Sequence, residues 1–569
     1  MRRSSFFQSA LQINIILALF FLIVFSVGIG RGDDDDTWES AVETTKIADN
    51  DDIEEKVDSG IKVAQDGSGN KGIVWGKSKK AKELEEKDTE KQSEPKTSTA
   101  KPAPKSVVNF GDEDTPAPKL LDNAAEKTTV RRPLSTPSTT SSAQKRISGA
   151  TDTYLLKSSR TKGSTDLVET LLEVTGEVKD VNAEQKKTSD KMEVVAGFRY
   201  EERIDQFSLT STSLSSIRQY NLAKAKIKIA DDIRTPELDD KLQTIVCRLE
   251  GDKVSLFSPK GSLRGEQLLL VEDLPGNTLT LDRLLPNKEV RIGDSWKVTD
   301  SVLRSFLSVD SINENSVEAV LTAVADKMAM VEVVGDISGT YLGATTEMSV
   351  RAKYQFDLEG KRINWLGLLI EENRSIGHVG PGLDLVARLQ VKISPVAGPQ
   401  SLTDDILRSV NLRPNDAVMK LKYDGGKGPW RFSHGRDWYV FQDDPQSTII
   451  RKLYDGGLVA QCNIADMGRI DVRTMTTLDK FQKDLQDGLG TNFGKVVAAE
   501  QRTHKAGYKM YTVLIDGMVD ELALRWIYNL LTDKDGRQAV VVFVVEAEML
   551  EQFADADEEL LDTFRLGKN

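Results

Sequence analysis

Three hydropathy regimes succeed one another along the chain. A nearly continuous apolar run from Leu11 to Gly30, interrupted by Gln12, Asn14 and Ser26, comes after two arginines, Arg2 and Arg3. A long polar stretch extends to Ser164, and beyond it apolar residues return in periodic order. The dominant period there is two: Leu172, Val174, Gly176 and Val178 alternate with polar neighbours, as do the residues from Val194 to Ile204. Such alternation places one face of a strand in a core and the other in water. Further strands are expected at Ala223–Ile229, Leu242–Leu249, Lys253–Phe257, Val317–Val324, Met328–Val334, Glu347–Phe356, Ile363–Glu371 and Val386–Ile393. Short turns such as Glu250-Gly251-Asp252, Ala325-Asp326-Lys327 and Asp357-Leu358-Glu359-Gly360 join neighbours closely, which implies antiparallel pairing. Residues 165–398 therefore read as an antiparallel β-rich domain, a large curved meander with one face packed. Its best helix candidate is Asp300–Val309, where Val302, Leu303, Phe306, Leu307 and Val309 recur at helical spacing.

The rhythm breaks at Pro395, Pro399 and Leu402–Pro414, so 399–425 read as a linker. In 426–566, strands at Trp430–Ser433, Thr448–Tyr454 and Leu458–Ile464 precede a helix carrying Leu478, Phe481, Leu485 and Leu489. Thr476, with Asp479 three residues on, is its expected N-cap, and Gly490 ends it. Strands at Val496–Arg502, Lys509–Ile515, Leu522–Leu531 and Gln538–Val545 come next, the last two joined by the turn Thr532–Gly536. Met549, Leu550, Phe553, Leu560, Leu561 and Phe564 suggest a closing helical segment. Strands, helix, antiparallel group and helix in this order make an α+β layered domain.

The first two regimes concern address. The uninterrupted part of the apolar run, Ile15–Phe25, suits a signal-peptide core, and the whole run reaches the roughly 20 residues that span a bilayer. A cleaved signal peptide and an uncleaved signal anchor over 1–30 both meet that length. Arg2 and Arg3 set the start in the cytoplasm and send the rest of the chain outward, to the periplasm or cell envelope, with the cytoplasmic membrane as partner if the segment stays. Residues 31–164 open on Asp33–Asp36, carry mixed charge through Lys79–Lys91, and hold seven of the 17 prolines between Pro95 and Pro137. A disordered tether is expected there.

Composition narrows the chemistry. The formal net charge is -13, which argues against nucleic acid as a partner. Cys247 and Cys462 are the only cysteines, too few for a disulfide framework or a Cys-rich zinc site, and His378, His434 and His504 are widely spaced. Gly67-Ser68-Gly69-Asn70-Lys71-Gly72 has the G-x-G-x-x-G spacing of a dinucleotide turn but lacks the strand-then-helix setting that would aim a helix N-terminus at a pyrophosphate, so it reads as linker. Asp33–Asp36 lacks the spaced ligands of a calcium loop. Glu201, Glu202 and Asp205 cluster with Arg199 and Arg203, and Glu371 and Glu372 precede Arg374; an acid/base pair is conceivable, but charges cross-paired on the solvent face of strands account for both clusters. Cys247 and Cys462 sit in alternating strands as small buried hydrophobes, and a turn at Ile376–Gly382 holds His378 with no second ligand near. No catalytic, cofactor-binding or metal residue is assigned.

Two resemblances add to this. Gly293-Asp294-Ser295-Trp296, after Leu284-Leu285-Pro286, resembles a pattern of exported bacterial proteins whose sheets look like the lipoprotein-carrier half-barrel, which implies a sheet around an apolar cavity. On the residues alone, Trp296 caps an ordinary core. The C-terminal region resembles the PsbP-like α/β/α fold through Trp430-Arg431-Phe432, Trp438, Leu458-Val459-Ala460-Gln461-Cys462, the helix from Thr477, and Trp526-Ile527-Tyr528. That likeness implies a binding or accessory module and transfers no catalytic residue; photosystem function is not inferred from it. No H-E-x-x-H, G-x-S-x-G or P-loop occurs. The expected function is a non-enzymatic envelope protein that binds a protein or lipid. The alternatives are a carrier of a hydrophobic ligand in the middle domain and a hydrolase with a composite carboxylate site.

Overall fold

The computed structural model describes residues 61–65, 71–75, 152–181, 187–208, 213–272, 274–424 and 426–567. The expected signal segment and most of the expected tether lie outside the described residues. Among those described, no helix is long and apolar enough to cross a membrane. The chain divides into two units; in one, Gly30–Ala117, the described residues are β1 (Ile61–Gln65) and β2 (Lys71–Trp75), which pair antiparallel, Ile61 opposite Trp75. A strand thus occupies the place where a dinucleotide turn would need a helix. The other unit contains Pro118–Asn569.

This second unit is built mostly of antiparallel sheet with few helices. Its first sheet comprises β4 (Thr165–Val181), β5 (Lys187–Gln206), β6 (Ser213–Ile229), β7 (Asp232–Arg234), β8 (Thr244–Glu250), β9 (Lys253–Phe257), β11 (Ser295–Lys297), β12 (Ser311–Asn315), β13 (Glu318–Ala325), β14 (Met328–Tyr341), β15 (Ala344–Asp357), β16 (Arg362–Arg374) and β17 (Gly382–Pro395). The spatial order of these thirteen strands is β11-β13-β14-β15-β16-β17-β4-β5-β6-β8-β9, with β12 beside β14 and β7 beside β6. Two meanders therefore meet at β4 and β17, paired from Gly382 opposite Lys179 to Pro395 opposite Asp166. The alternation read from sequence explains the core: Val350, Ala352, Tyr354 and Phe356 of β15 and Leu385, Ala387, Leu389, Val391 and Ile393 of β17 all enter one cluster.

The segment from β9 to β12, which carries the short edge strand β11, covers that inner face. It includes α1 (Gly265–Glu272), the strand β10 (Glu289–Val290) and α2 (Asp300–Leu307), and it contributes Leu268, Leu279, Leu284, Leu285, Leu303 and Phe306 to the same core. The expected helix at 300 is present; α1 has no counterpart among the expected elements, because its eight residues show no sustained amphipathic repeat. Trp296 packs against the cluster and its Nε1–H donates to the Leu284 carbonyl at 3.0 Å, as a cap on the core. Ordered contact also starts before Thr165: β3 (Tyr154–Leu155) pairs with β10, and Leu156 is fully buried.

The C-terminal region opens with α3 (Asp404–Ser409) and α4 (Asp416–Met419), both within the expected linker. A small sheet joins β18 (Leu421–Tyr423), β19 (Trp430–His434) and β27 (Arg565–Leu566). The large one orders β20 (Trp438–Asp443), β21 (Ser447–Tyr454), β22 (Gly457–Arg469), β26 (Arg537–Glu546), β25 (Leu522–Thr532), β24 (Lys509–Val519) and β23 (Phe493–Thr503) side by side. On one face α5 (Leu478–Leu489) sets Phe481, Leu485 and Leu489 against Val513, Ile515, Val540 and Val542; on the other, Phe553, Leu560, Leu561 and Phe564 meet Cys462, Val541, Phe543 and Val545. The strand β20 is absent from the sequence-based expectation because a bulge between Val440 and Gln442 spoils its alternation. The cap of α5 is Thr477, whose hydroxyl accepts from the Lys480 N–H at 3.2 Å, instead of Thr476. The closing helix is two pieces, α6 (Leu550–Phe553) and α7 (Ala556–Thr563), parted by Ala554 at φ +47°.

The two regions touch through side chains and turn tips. Arg436 donates to Leu256 O at 2.6 Å and to Glu272 at 3.3 Å, and Lys422 N–H donates to Leu263 O at 2.9 Å. The β14–β15 and β21–β22 hairpin tips meet at Gly343 and Gly456, both with φ +78°; a Cβ on Gly343 would stand 2.0 Å from the Gly456 carbonyl oxygen. Gly343→Ala therefore combines a left-handed strain with a collision, whereas Gly251→Ala, at φ +69° in open space, carries the strain alone. We expect Gly343→Ala to destabilise by about 1 kcal/mol more than Gly251→Ala in denaturant titrations and to speed proteolysis between residues 399 and 425.

Candidate functional site

Arginine and carboxylate side chains concentrate where the two meanders meet. In β5, Glu201 and Glu202 point to opposite faces. Glu201 accepts the backbone N–H groups of Gln400 at 2.9 Å and Ser401 at 2.6 Å, fastening the chain that leaves β17. Glu202 points inward and accepts Arg218 Nε at 2.9 Å, Ser216 Oγ at 2.8 Å and Arg160 Nη2 at 3.1 Å. Arg218 lies directly opposite it on β6. Arg160 arrives from the segment before β4; it also reaches Asp166 at 3.4 Å, Asp282 at 3.6 Å and the Thr278 carbonyl at 2.9 Å. Asp166 takes a second guanidinium, Arg362 of β16, at 2.5 Å, and Asp282 accepts Ser158 Oγ at 2.9 Å.

Three cations thus face three anions. Apart from Arg362, at 18%, every one of these side chains is at most 5% exposed. Polar neighbours complete the cluster: Arg218 Nη2 donates to Asn277 Oδ1 at 2.5 Å and Thr278 Oγ1 at 3.1 Å, and its guanidinium lies 5.0 Å from the Tyr200 ring centre. Burial would raise the pKa of Glu202, but Arg218 and Arg160, with hydroxyl donors from Thr278 and Ser216, hold it down to about 2. Burial pushes Asp166 and Asp282 the other way, against the pull of Arg160. It also raises the Cys247 thiol, against the pull of Arg218, which keeps Cys247 protonated and poorly nucleophilic.

Carboxylates with affinities driven apart are the pattern of an acid/base pair. Here the same pattern arises from ion pairing at Glu202 and from burial at Asp166 and Asp282, and the oxygens are turned toward partners within the core. What this arrangement does is hold: it ties the 153–162 strap, both wings of the sheet and the crossing segment to one point.

The acidic clusters named from sequence are dispersed by the structure. Asp205 pairs with Lys162 at 3.1 Å, Arg199 with Glu169 at 3.1 Å, and Arg203 with Asp404. Solvent-face pairing describes these, but it fails for Glu202, which is fully buried. Glu371 is exposed, while Glu372 accepts Thr346 Oγ1 at 2.8 Å and Arg374 Nε at 2.7 Å. Among the described residues no group of three or more His, Cys, Asp or Glu is placed to hold a metal ion. The histidines make separate contacts. The His378 carbonyl accepts Arg451, and His434 is buried with Nδ1 2.8 Å from Gly435 O. His504 Nδ1 accepts the Ala506 N–H at 3.0 Å, so Nε2 carries the proton toward the Leu561 carbonyl at 2.5 Å. Neither arginine is marked by the sequence: Arg218 precedes the strand expected at 223, in a stretch where Leu214 and Ile217, three apart, break period two, and Arg160 lies in a polar stretch.

Two outcomes are expected. Arg160→Met leaves three carboxylates short of a cation and should cost about 3–5 kcal/mol in denaturant unfolding, while adding Asp282→Asn to that variant should recover part of the loss. His504 is kept below its ordinary pKa by burial, against the Leu561 carbonyl, so the unfolded state takes up a proton that the folded state refuses. Stability should therefore fall as pH drops through about 6.5, and His504→Gln should flatten that slope in thermal melts at several pH values.

No family model matches this chain, and no curated protein matches it. Among solved structures, the chain is loosely similar to cyanobacterial PsbP from Synechocystis sp. PCC 6803, with 13% identity and a TM-score of 0.21 over 27% of this chain and 96% of that one. It is also loosely similar to lipovitellin, with 7% identity and a TM-score of 0.25 over 43% of this chain and 26% of that one. The outer membrane protein OprD of Pseudomonas aeruginosa gives a TM-score of 0.10 at 9% identity, over 68% of this chain and 95% of that one.

Proposed function

We propose that this chain is a non-enzymatic, envelope-associated binding or accessory protein. In this reading the N-terminal apolar run exports or anchors it, the polar stretch acts as tether, and two sheet-rich domains, the second a PsbP-like α/β/α sandwich, stand outside the cytoplasmic membrane. A random chain of the tether's length reaches roughly 60 Å, enough to clear the bilayer. The observation that carries the reading is the contrast between sealed chemistry and open edges. The titratable groups closest to an acid/base arrangement are spent on stapling the core, whereas β20 presents Val440, 41% exposed, on a sheet edge that no other described strand covers, with the exposed Tyr454 at the end of the neighbouring strand. Exposed apolar side chains on a strand edge suit the addition of a partner's strand.

A hydrophobic-ligand carrier would need the inner face of the first sheet. That face is packed by the chain's own Leu279, Leu284, Leu303 and Phe306, which favours the partner-binding reading over the carrier. The test is a photoactivatable residue at Val440 in cells. A discrete crosslinked species, distinct from a homodimer and concentrated in the envelope fraction, supports the proposal. A protein recovered in the cytosol with no crosslink removes it.

A further inference from the structure

The opposite edge of the second large sheet carries a different signal. The strand β23 has β24 on one side and no other described strand on the other, and residues 494, 495, 497, 498, 500, 501 and 503 along it are exposed. Long exposed edges template pairing with another chain. The central sequence is Lys495-Val496-Val497-Ala498-Ala499-Glu500, four apolar residues between opposite charges. A bulge between Val496 and Ala498 makes Val497 the extra residue, so Lys495 and Glu500 stand opposite Asp516 and Thr512, four positions apart on β24. The two charges consequently share one face, although five positions separate them in sequence. Both extend into solvent, Lys495 73% and Glu500 59% exposed, with only loose pairings to Asp516 at 4.0 Å and Arg502 at 3.6 Å. Val496 and Ala499 lie on the other face, against the α5 core.

These positions are self-complementary. We infer that two copies of this chain associate edge to edge through β23, antiparallel, about a two-fold axis that runs between the two Ala498 residues, perpendicular to the sheet. Counting by the β24 partners, Ala498 then faces the second copy's Ala498, Val496 faces its Ala499, and Lys495 faces its Glu500, the last two pairs each occurring twice. Directly opposite residues of an antiparallel pair share a face, and the bulge is what lets this register obey that rule. One face of the joined sheet gains two ion pairs and the other two apolar pairs, as an isologous contact requires. The inference concerns a different edge from the partner-binding reading and does not depend on export.

The experiment uses the full-length protein in a mild detergent. Sedimentation should show a dimer that Lys495→Glu weakens roughly tenfold or more, because both cross-strand pairs become repulsive, and that Lys495→Glu combined with Glu500→Lys restores. Both native cysteines are buried, so a cysteine introduced at the surface reports alone. Ala498→Cys should join two copies with a short bis-maleimide, whereas Thr503→Cys, roughly 30 Å from its counterpart in this register, should not. A protein that stays monomeric with no Ala498→Cys product, or a dimer whose affinity Lys495→Glu leaves unchanged, overturns the inference.

Discussion

Desolvation of Asp166, Glu202 and Asp282 is the constraint on which the first domain rests. A carboxylate moved from water into a core loses several kcal/mol of hydration, and only close cations offset it. Arg218 and Arg362 come from the sheet, but Arg160 comes from outside it and approaches all three anions. The sheet as a hydrogen-bonded ladder could form without the strap; the sheet as a stable core could not, because its anions would be left short of one cation. This arrangement also makes position informative. An apolar strap could slip along the sheet by two residues at little cost, whereas a guanidinium that must meet Asp166, Glu202 and Asp282 fits one register.

Around that point the architecture reflects what each apolar face needs. A thirteen-stranded sheet with one apolar face must be covered, and the segment from β9 to β12 covers it with α1, α2 and irregular leucine-rich turns. The seven-stranded sheet solves the same problem with helices on both faces, which is why β26 is apolar at nearly every position: Val540, Val542 and Val544 serve one core, and Val541, Phe543 and Val545 the other. The contact between Gly343 and Gly456 joins the two regions where neither chain tip has room for a side chain.

Alternation makes nearly every long strand legible, since period two survives wherever one face is buried. It fails where the ladder is irregular, as at β20, and where a helix is too short to repeat, as at α1. The candidate site is legible in part. Glu202 and its neighbours are visible as a charge cluster, but alternation alone assigns them to water; that assignment breaks because Glu201 and Glu202 point to opposite faces and both faces are covered. Arg160 is out of reach of sequence reasoning, because its role depends on where residues 166, 202 and 282 meet in space. The self-complementary charges of β23 need the bulge, which no composition or period reveals.

The pairing of β4 with β17 has a kinetic meaning. The ion pair between Lys179 and Asp384 joins residues 205 positions apart, and the strands around it are the centre of the sheet instead of its rim. A ribosome must therefore release nearly the whole first domain before its middle can form. Folding rates fall as contacts become more distant in sequence, so each half-meander spends that interval with an open edge. A chain organised this way favours protection during synthesis and late, all-at-once closure of the sheet.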